Sequence, residues 1–200
     1  QSRYGQDPSE VIRTKTWDDP LRWQKTAVQD GVKRVFVFTC SWSDWFHESA
    51  DQWRGEAWEI VRECPNLTFQ ILTKRADRIL DRLPADWGNG YPNVWLGVSI
   101  SESKGAWRAD ELRKIPTHLR FISYEPALGP LYNLDLDGIG WLIYGGESGA
   151  RFRPADKQWA RDVRERCRIS ETRFFYKQSS GLRAGMDAEL DGEVIQEMPA

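Results

Sequence analysis

The sequence predicts an α/β protein whose strands lie parallel, as a (β/α) barrel or partial barrel. Three observations carry that reading. Six short runs are rich in β-branched and aromatic residues and nearly continuous in apolar character, as strands covered on both faces are. Helical periodicity fills much of the chain between them. Each run also ends in polar or ionisable groups. Strands alternating with helices at this spacing form βαβ units, and right-handed crossovers wind the parallel sheet in one direction.

The first run is Arg34–Cys40 (RVFVFTC). A helix over Asp51–Cys64 follows, because Trp53, Ala57, Ile60, Val61 and Cys64 recur along one helical face. The second run, Thr68–Thr73 (TFQILT), leads into a shorter helix over Ala76–Leu83 that Pro84 stops. The third run, Val94–Ile100 (VWLGVSI), leads into a helix over Ala106–Ile115 that Pro116 stops. After the fourth run, Leu119–Tyr124 (LRFISY), the residues Pro126, Gly129 and Pro130 leave little room for a full helix. The fifth run, Gly140–Gly145 (GWLIYG), precedes a helix over Asp156–Arg168, where Trp159, Val163 and Cys167 share a face. The sixth run is Arg173–Lys177 (RFFYK). The tail 179–200 is Gly-rich at its start and carries Asp191-Gly192, a turn signal, so it is predicted to form a small hairpin cap. One TIM-like barrel domain over 1–200 is expected, incomplete at its N-terminus because the chain opens on Gln1.

A 200-residue domain buries roughly 70% of its unfolded surface and needs no covalent staple. The net charge of −2 argues against a globally basic nucleic-acid binder but leaves room for a local basic patch. No apolar run approaches the ~20 residues of a membrane span. The three cysteines, Cys40, Cys64 and Cys167, show no local pairing or metal-site spacing, which suggests a reducing, cytoplasmic compartment.

Ligands of parallel barrels bind at the C-terminal ends of the strands. There the first strand offers Asp44, the second Lys74 and Arg75, and the third Ser99 and Glu102. The fourth offers Glu125, the fifth Gly145-Gly146-Glu147-Ser148-Gly149, and the sixth Lys177 and Gln178. Six polar ends on one rim would make a mixed-charge pocket, with Asp44, Lys74, Glu125 and Lys177 as candidate catalytic groups. The glycine string is read in two ways: as backbone N–H groups left free for an anion, or as a tight strand-to-helix turn. It matches neither a dinucleotide fingerprint nor a Walker loop. Lys74 and Arg75 suit a phosphate or carboxylate; a salt bridge to Glu125 or Asp44 explains them equally well.

Ser43, Asp44 and His47 do not form a credible triad, because the chain has no nucleophile elbow. His118 precedes a strand and belongs to the opposite rim. Cys64 and Cys167 fall on apolar helix faces as core residues, and Cys40 is the one thiol near the rim. Trp17, Trp23, Trp42, Trp45, Trp87 and Trp107 lie in loops or at element edges; they could stack bases, though packing is the commoner role.

Several strings together resemble a known family. They are Phe38-Thr39-Cys40-Ser41-Trp42-Ser43-Asp44-Trp45-Phe46, Ile71-Leu72-Thr73-Lys74-Arg75, Asn93 through Ser99, Arg120 through Pro126 with Leu128-Gly129-Pro130, and Tyr144 through Gly149. Phe174 through Gln178 and Leu190-Asp191-Gly192 to Met198-Pro199 continue the pattern. The whole is similar to a phage-associated family of unknown function with a three-cysteine motif and a radical S-adenosylmethionine (SAM)-like barrel. The resemblance implies a further first strand upstream and a loop whose three cysteines hold a [4Fe–4S] cluster with SAM on its open iron. That loop is absent from this chain, and Cys40, Cys64 and Cys167 do not match its positions.

The resemblance therefore implies a radical-SAM-type enzyme, with a nucleic acid or nucleotide as substrate by association with phages. Ser99, Gly145, Gly146, Glu147 and Ser148 would then face the cofactor, and Arg75, Glu102 and Gln178 the substrate. The alternative is a barrel without its cluster that grips nucleic acid or a partner protein through Lys74, Arg75, Arg151, Arg153 and exposed tryptophans.

Overall fold

The computed structural model describes residues 11–200. Six strands pair in sequence order, every pair parallel: β1 (Val35–Phe38), β2 (Leu67–Thr73), β3 (Val94–Ser99), β4 (Leu119–Tyr124), β5 (Trp141–Gly145) and β6 (Arg173–Gln178). The sheet curls into a half-barrel with helices on its outer face, and β1 does not pair with β6. The predicted parallel architecture is thus present in its partial form.

The helices are α1 (Asp19–Gln29), α2 (Arg54–Glu63), α3 (Trp107–Arg113) and α4 (Lys157–Ile169). The sequence reading did not assign α1. Pro20 sits in its first turn, where a missing N–H costs nothing, and only Ala27 of its residues is buried. Trp23, expected in a loop, belongs to this helix. The helix expected over Ala76–Leu83 is instead two short 3-10 turns, Ala76–Arg78 and Leu80–Arg82. Too few residues precede Pro84 to repay helix nucleation, and 3-10 geometry serves such short connectors. Arg78 and Arg82 are drawn to Asp51, at 2.7 and 2.9 Å.

The outer face of the sheet makes the main core. Leu96, Val98, Ile122, Leu142 and Phe174 pack there with Trp58, Val61, Leu112, Val163 and Cys167 of the helices. Between β4 and β5 no helix forms. Leu131, Leu134, Leu136 and Ile139 of the connecting loop are buried instead, covering the sheet where a helix would lie. Arg166 of α4 holds that loop by donating to the carbonyls of Leu131 and Leu134.

The inner face carries a second, smaller cluster of Trp95, Phe121 and Trp141, with Leu72, Leu119, Ile143 and Phe175 against it. Among the described residues no helix covers this side, yet Trp95, Phe121 and Trp141 are buried. The expectation of strands buried on both faces therefore fails for β1, where Phe36 and Phe38 are 43% and 50% exposed. The C-terminal tail lies antiparallel along β6: Tyr176 N donates to Ile195 O at 2.7 Å, and Glu197 N to Phe174 O at 3.2 Å. Leu190 and Glu193 exchange backbone hydrogen bonds around Asp191-Gly192, both in the left-handed region with φ of 56° and 83°. An Asp-Gly pair is suited to that geometry.

Candidate functional site

The strand ends deliver their side chains in three groups. At the ends of β1 and β2, Asp44 is engaged on every side. Its Oδ1 accepts from Thr73 Oγ1 (2.7 Å) and Phe46 N (2.9 Å), and its Oδ2 from Lys74 N (2.9 Å). Arg75 lies 3.4 Å from the same Oδ2 and also reaches Glu48. Asp44 thus ties the loop after β1 to the end of β2, and little acceptor capacity is left for moving a proton. The salt-bridge reading holds for Arg75 with Asp44. Lys74 is different: its ammonium is exposed and has no carboxylate partner among the described residues.

Behind Asp44 the loop is fixed by arginines. Arg54 is 6% exposed, donates to the carbonyls of Trp45 and His47, and pairs with Asp51 at 2.6 Å. Arg78 donates to Phe46 O and to Asp51. Burial opposes ionisation of Asp51, but hydrogen bonds from Arg54, Arg82 and Arg78 outweigh it and hold the carboxyl far below its usual range.

The second group sits over β4, β5 and β6. Lys177 Nζ donates to both Glu125 oxygens, at 2.8 and 2.9 Å. The Glu125 carboxyl lies across Gly145, where a Cβ would come 2.8 Å from Glu125 Cδ. A side chain at this position would push the Glu125 carboxylate aside. Ser99 Oγ donates to Glu125 O at 3.4 Å, and Arg108 joins the groups by donating to Lys74 O and Ser99 O. Ser99, Glu125, Gly145 and Lys177 are therefore brought together, with Lys74 one bridge away. Arg108 was not foreseen; its position in the first turn of α3 gives no sequence signal of its reach across two strand ends.

The third group is the loop after β5. Gly146 N donates to Gln178 O and Gly149 N to Gly181 O, while Gly181 N donates to Glu147 O, each at 3.0 Å. The anion-nest reading is thus corrected for Gly146 and Gly149, whose N–H groups continue the pairing of the sheet. Gln178 is 1% exposed; its amide donates to Gly146 O and accepts from Gly185 N. It staples the loop and is not placed to meet a substrate. Ser148 is exposed at the loop tip, and Glu102 pairs with Lys104 at 2.5 Å.

Glu147 accepts three hydrogen bonds from Arg153: from its backbone N, its Nε and its Nη2. The Arg153 side chain, then its backbone N–H, brings the carboxyl from 4.5 to about 2. Glu147 is ionised at neutral pH and is not a general acid. A depressed carboxyl stabilises the fold above its unfolded pKa. That contribution is fully present above about 4.5 and fades as pH falls towards 2. A carboxyl titration by NMR should place Glu147 near 2, and Arg153→Ala should return it towards 4.5. An unchanged midpoint in the variant would dissociate the shift from the pair.

The cysteines do not make a metal centre. Cys64 and Cys167 are buried, and burial first of all pushes their thiols up to about 11 and about 12. Burial also raises Cys40. Among the described residues no three His, Cys, Asp or Glu side chains converge for a metal, and no helix is long and apolar enough to cross a membrane. The described residues thus provide no ligand set for a [4Fe–4S] cluster, which needs thiolates.

Below the rim, the inner face presents a chain of rings that the sequence reading did not single out. Phe36 and Trp95 are 5.1 Å apart, Trp95 and Trp141 5.9 Å, and Trp141 and Phe175 6.0 Å between centroids. The signal was the period-two alternation: Phe36, Phe38, Trp95, Trp141 and Phe175 all point away from the helices. Of the tryptophans named for stacking, Trp87 is buried and donates to Pro116 O, while Trp42 is 82% and Trp107 44% exposed.

An all-parallel half-barrel with an aromatic inner face and a polar rim at its strand ends defines the class. The chain matches over residues 2–199 a family described as a protein of unknown function, DUF5131, and belongs to that family. No curated protein and no solved structure matches it.

Proposed function

We propose that this chain is the ligand-holding half-barrel of an enzyme acting on a nucleotide or nucleic acid, with SAM as co-substrate. The observation that carries the reading is the exposed β1 edge of the inner face. Phe36 and Phe38 are exposed and rest against the buried Trp95 and Trp141, below a rim bearing Lys74 and the Glu125–Lys177 pair. Rings accept a purine by stacking, and ammonium groups accept phosphate or carboxylate. An amino-acid ammonium would suit Glu125. The resemblance to phage-associated radical-SAM-like barrels supports SAM and a nucleic-acid substrate. The cluster that such chemistry needs finds no ligands among the described residues, so no step is drawn through it.

Binding of SAM and of adenine nucleotides, followed by tryptophan fluorescence, tests this reading. Phe38→Ala removes an exposed ring from the inner face without touching the core. It should weaken binding about five- to a hundredfold, the range for one lost base–aromatic stack. Absence of saturable binding by the unaltered chain, or binding indifferent to Phe38 and Lys74, would sink the proposal. The alternative, a cluster-less module for nucleic acid or a partner protein, has thinner support. Arg153 is committed to Glu147 and Arg75 to Asp44 and Glu48. Only Lys74 and Arg151 of its cations lack carboxylate partners among the described residues. Such a module would show oligonucleotide affinity with a salt slope of about −2.

A further inference from the structure

We propose a second binding site, for a small phosphate-bearing anion, at the opposite end of the sheet from the polar rim. The chain enters β1, β2 and β3 around a cavity of about 360 Å³, a volume within the range of small-ligand pockets. Lys33 and Arg34 approach it from the segment before β1, Arg62 from α2, Thr68 from β2 and Tyr91 from the turn before β3. Three cations line it and no carboxylate does.

The site is built rather than incidental. Arg62 is held by Nη1, which donates to both Asp86 oxygens at 3.1 Å and to Tyr91 Oη at 3.2 Å. Tyr91 Oη in turn donates to Asp86 at 2.6 Å. This fixes the guanidinium and leaves its Nε and Nη2 donors without partners among the described residues. Lys33 and Arg34 likewise have no carboxylate partner among the described residues. Thr68, 5% exposed, also lines the cavity.

Charge decides the ligand class. Asp86 offsets Arg62, so Lys33 and Arg34 leave an excess of two positive charges. Two guanidinium groups and an ammonium match the oxygens of a phosphate, which takes several charge-assisted hydrogen bonds at once. The bottom rim of a parallel barrel ordinarily serves stability. There Lys33, Arg34 and Arg62 are exposed and so open to an anion from solvent.

Calorimetric titration of the chain with inorganic phosphate and with pyrophosphate tests the assignment. Saturable binding is expected, with pyrophosphate the tighter. The Lys33→Ala/Arg34→Ala pair should weaken it at least about tenfold, since each lost charge-assisted bond matters on that scale. Thermal denaturation checks that the fold of the double variant survives. Lys74→Ala, at the far rim, should leave it unchanged, which separates this site from the proposed nucleotide face. No binding at millimolar phosphate overturns the proposal. So does a loss in Lys74→Ala with none in the double variant. An oligonucleotide that binds through Lys33 and Arg34 while pyrophosphate does not would reassign the cations to a nucleic-acid surface and overturn the small-ligand site.

Discussion

Gly146→Ala is expected to destabilise the fold by about 3 kcal/mol, at the upper end of what overpacking costs. The effect is steric, not conformational: φ at Gly146 is not in the left-handed region. A Cβ there would lie 2.6 Å from the carbonyl carbon of Ser179 and closer still to Ser180 N. Those are backbone atoms and cannot swing aside. To make room, the 178–181 segment must move, and its bonds to the β5 loop go with it. Gly146 N no longer meets Gln178 O, and the buried Gln178 amide loses Gly146 O. Denaturant unfolding measures the loss. Gly55→Ala in α2 is the contrast, because a Cβ there meets nothing within 4 Å. It should stabilise by about 0.5–1 kcal/mol through helix propensity alone. If both variants unfold alike, the close approach at Gly146 is not real.

The six strands were legible because each is a compact, largely apolar run. What the runs could not say is whether the second face is covered. Val35-Phe36-Val37-Phe38 reads as doubly buried, yet its phenylalanines face an open half-barrel. An apolar string fixes the strand, not what lies opposite it. α1 escaped notice because its one buried residue, Ala27, leaves almost no periodic stripe. The 3-10 turns at Ala76–Arg82 escaped because propensity cannot show the pull of Asp51 on two arginines from another part of the chain.

The rim was legible through topology: in a parallel sheet the residues after each strand must share one end. Which of them stay free for a ligand was not. Asp44, Glu147 and Gln178 looked like Lys74 in the sequence. The structure spends their hydrogen-bonding capacity on Thr73, Arg153 and Gly146. Those partners lie from six to thirty-two residues away, and nothing local announces them. The cavity before β1 to β3 shows the same limit from the other side. Lys33, Arg62 and Tyr91 are ordinary surface residues until the fold collects them around Thr68.

Trp95→Ala should cost about 3–5 kcal/mol, the usual loss for removing a buried tryptophan. Trp95 is 2% exposed and stands in register between Gln70 of β2 and Leu119 of β4, in the middle of the inner face. Its ring is the link between Phe36 on the open edge and Trp141 deeper in the half-barrel. No helix lies on this side to collapse into the gap, so the cavity persists and the loss falls high in the range. Nor can Gly97, next on the same strand face, fill it, since a Cβ there would already run into the Phe121 ring. Trp42→Ala, at 82% exposure, should by comparison stay within about 0.5 kcal/mol of the parent. Trp95→Phe should recover part of the stability and part of any nucleotide binding, because it keeps a ring between Phe36 and Trp141. A Trp95→Ala variant as stable as Trp42→Ala would mean that the inner rings do not support one another. The aromatic face would then be a set of separate side chains and not a surface on which a base can stack.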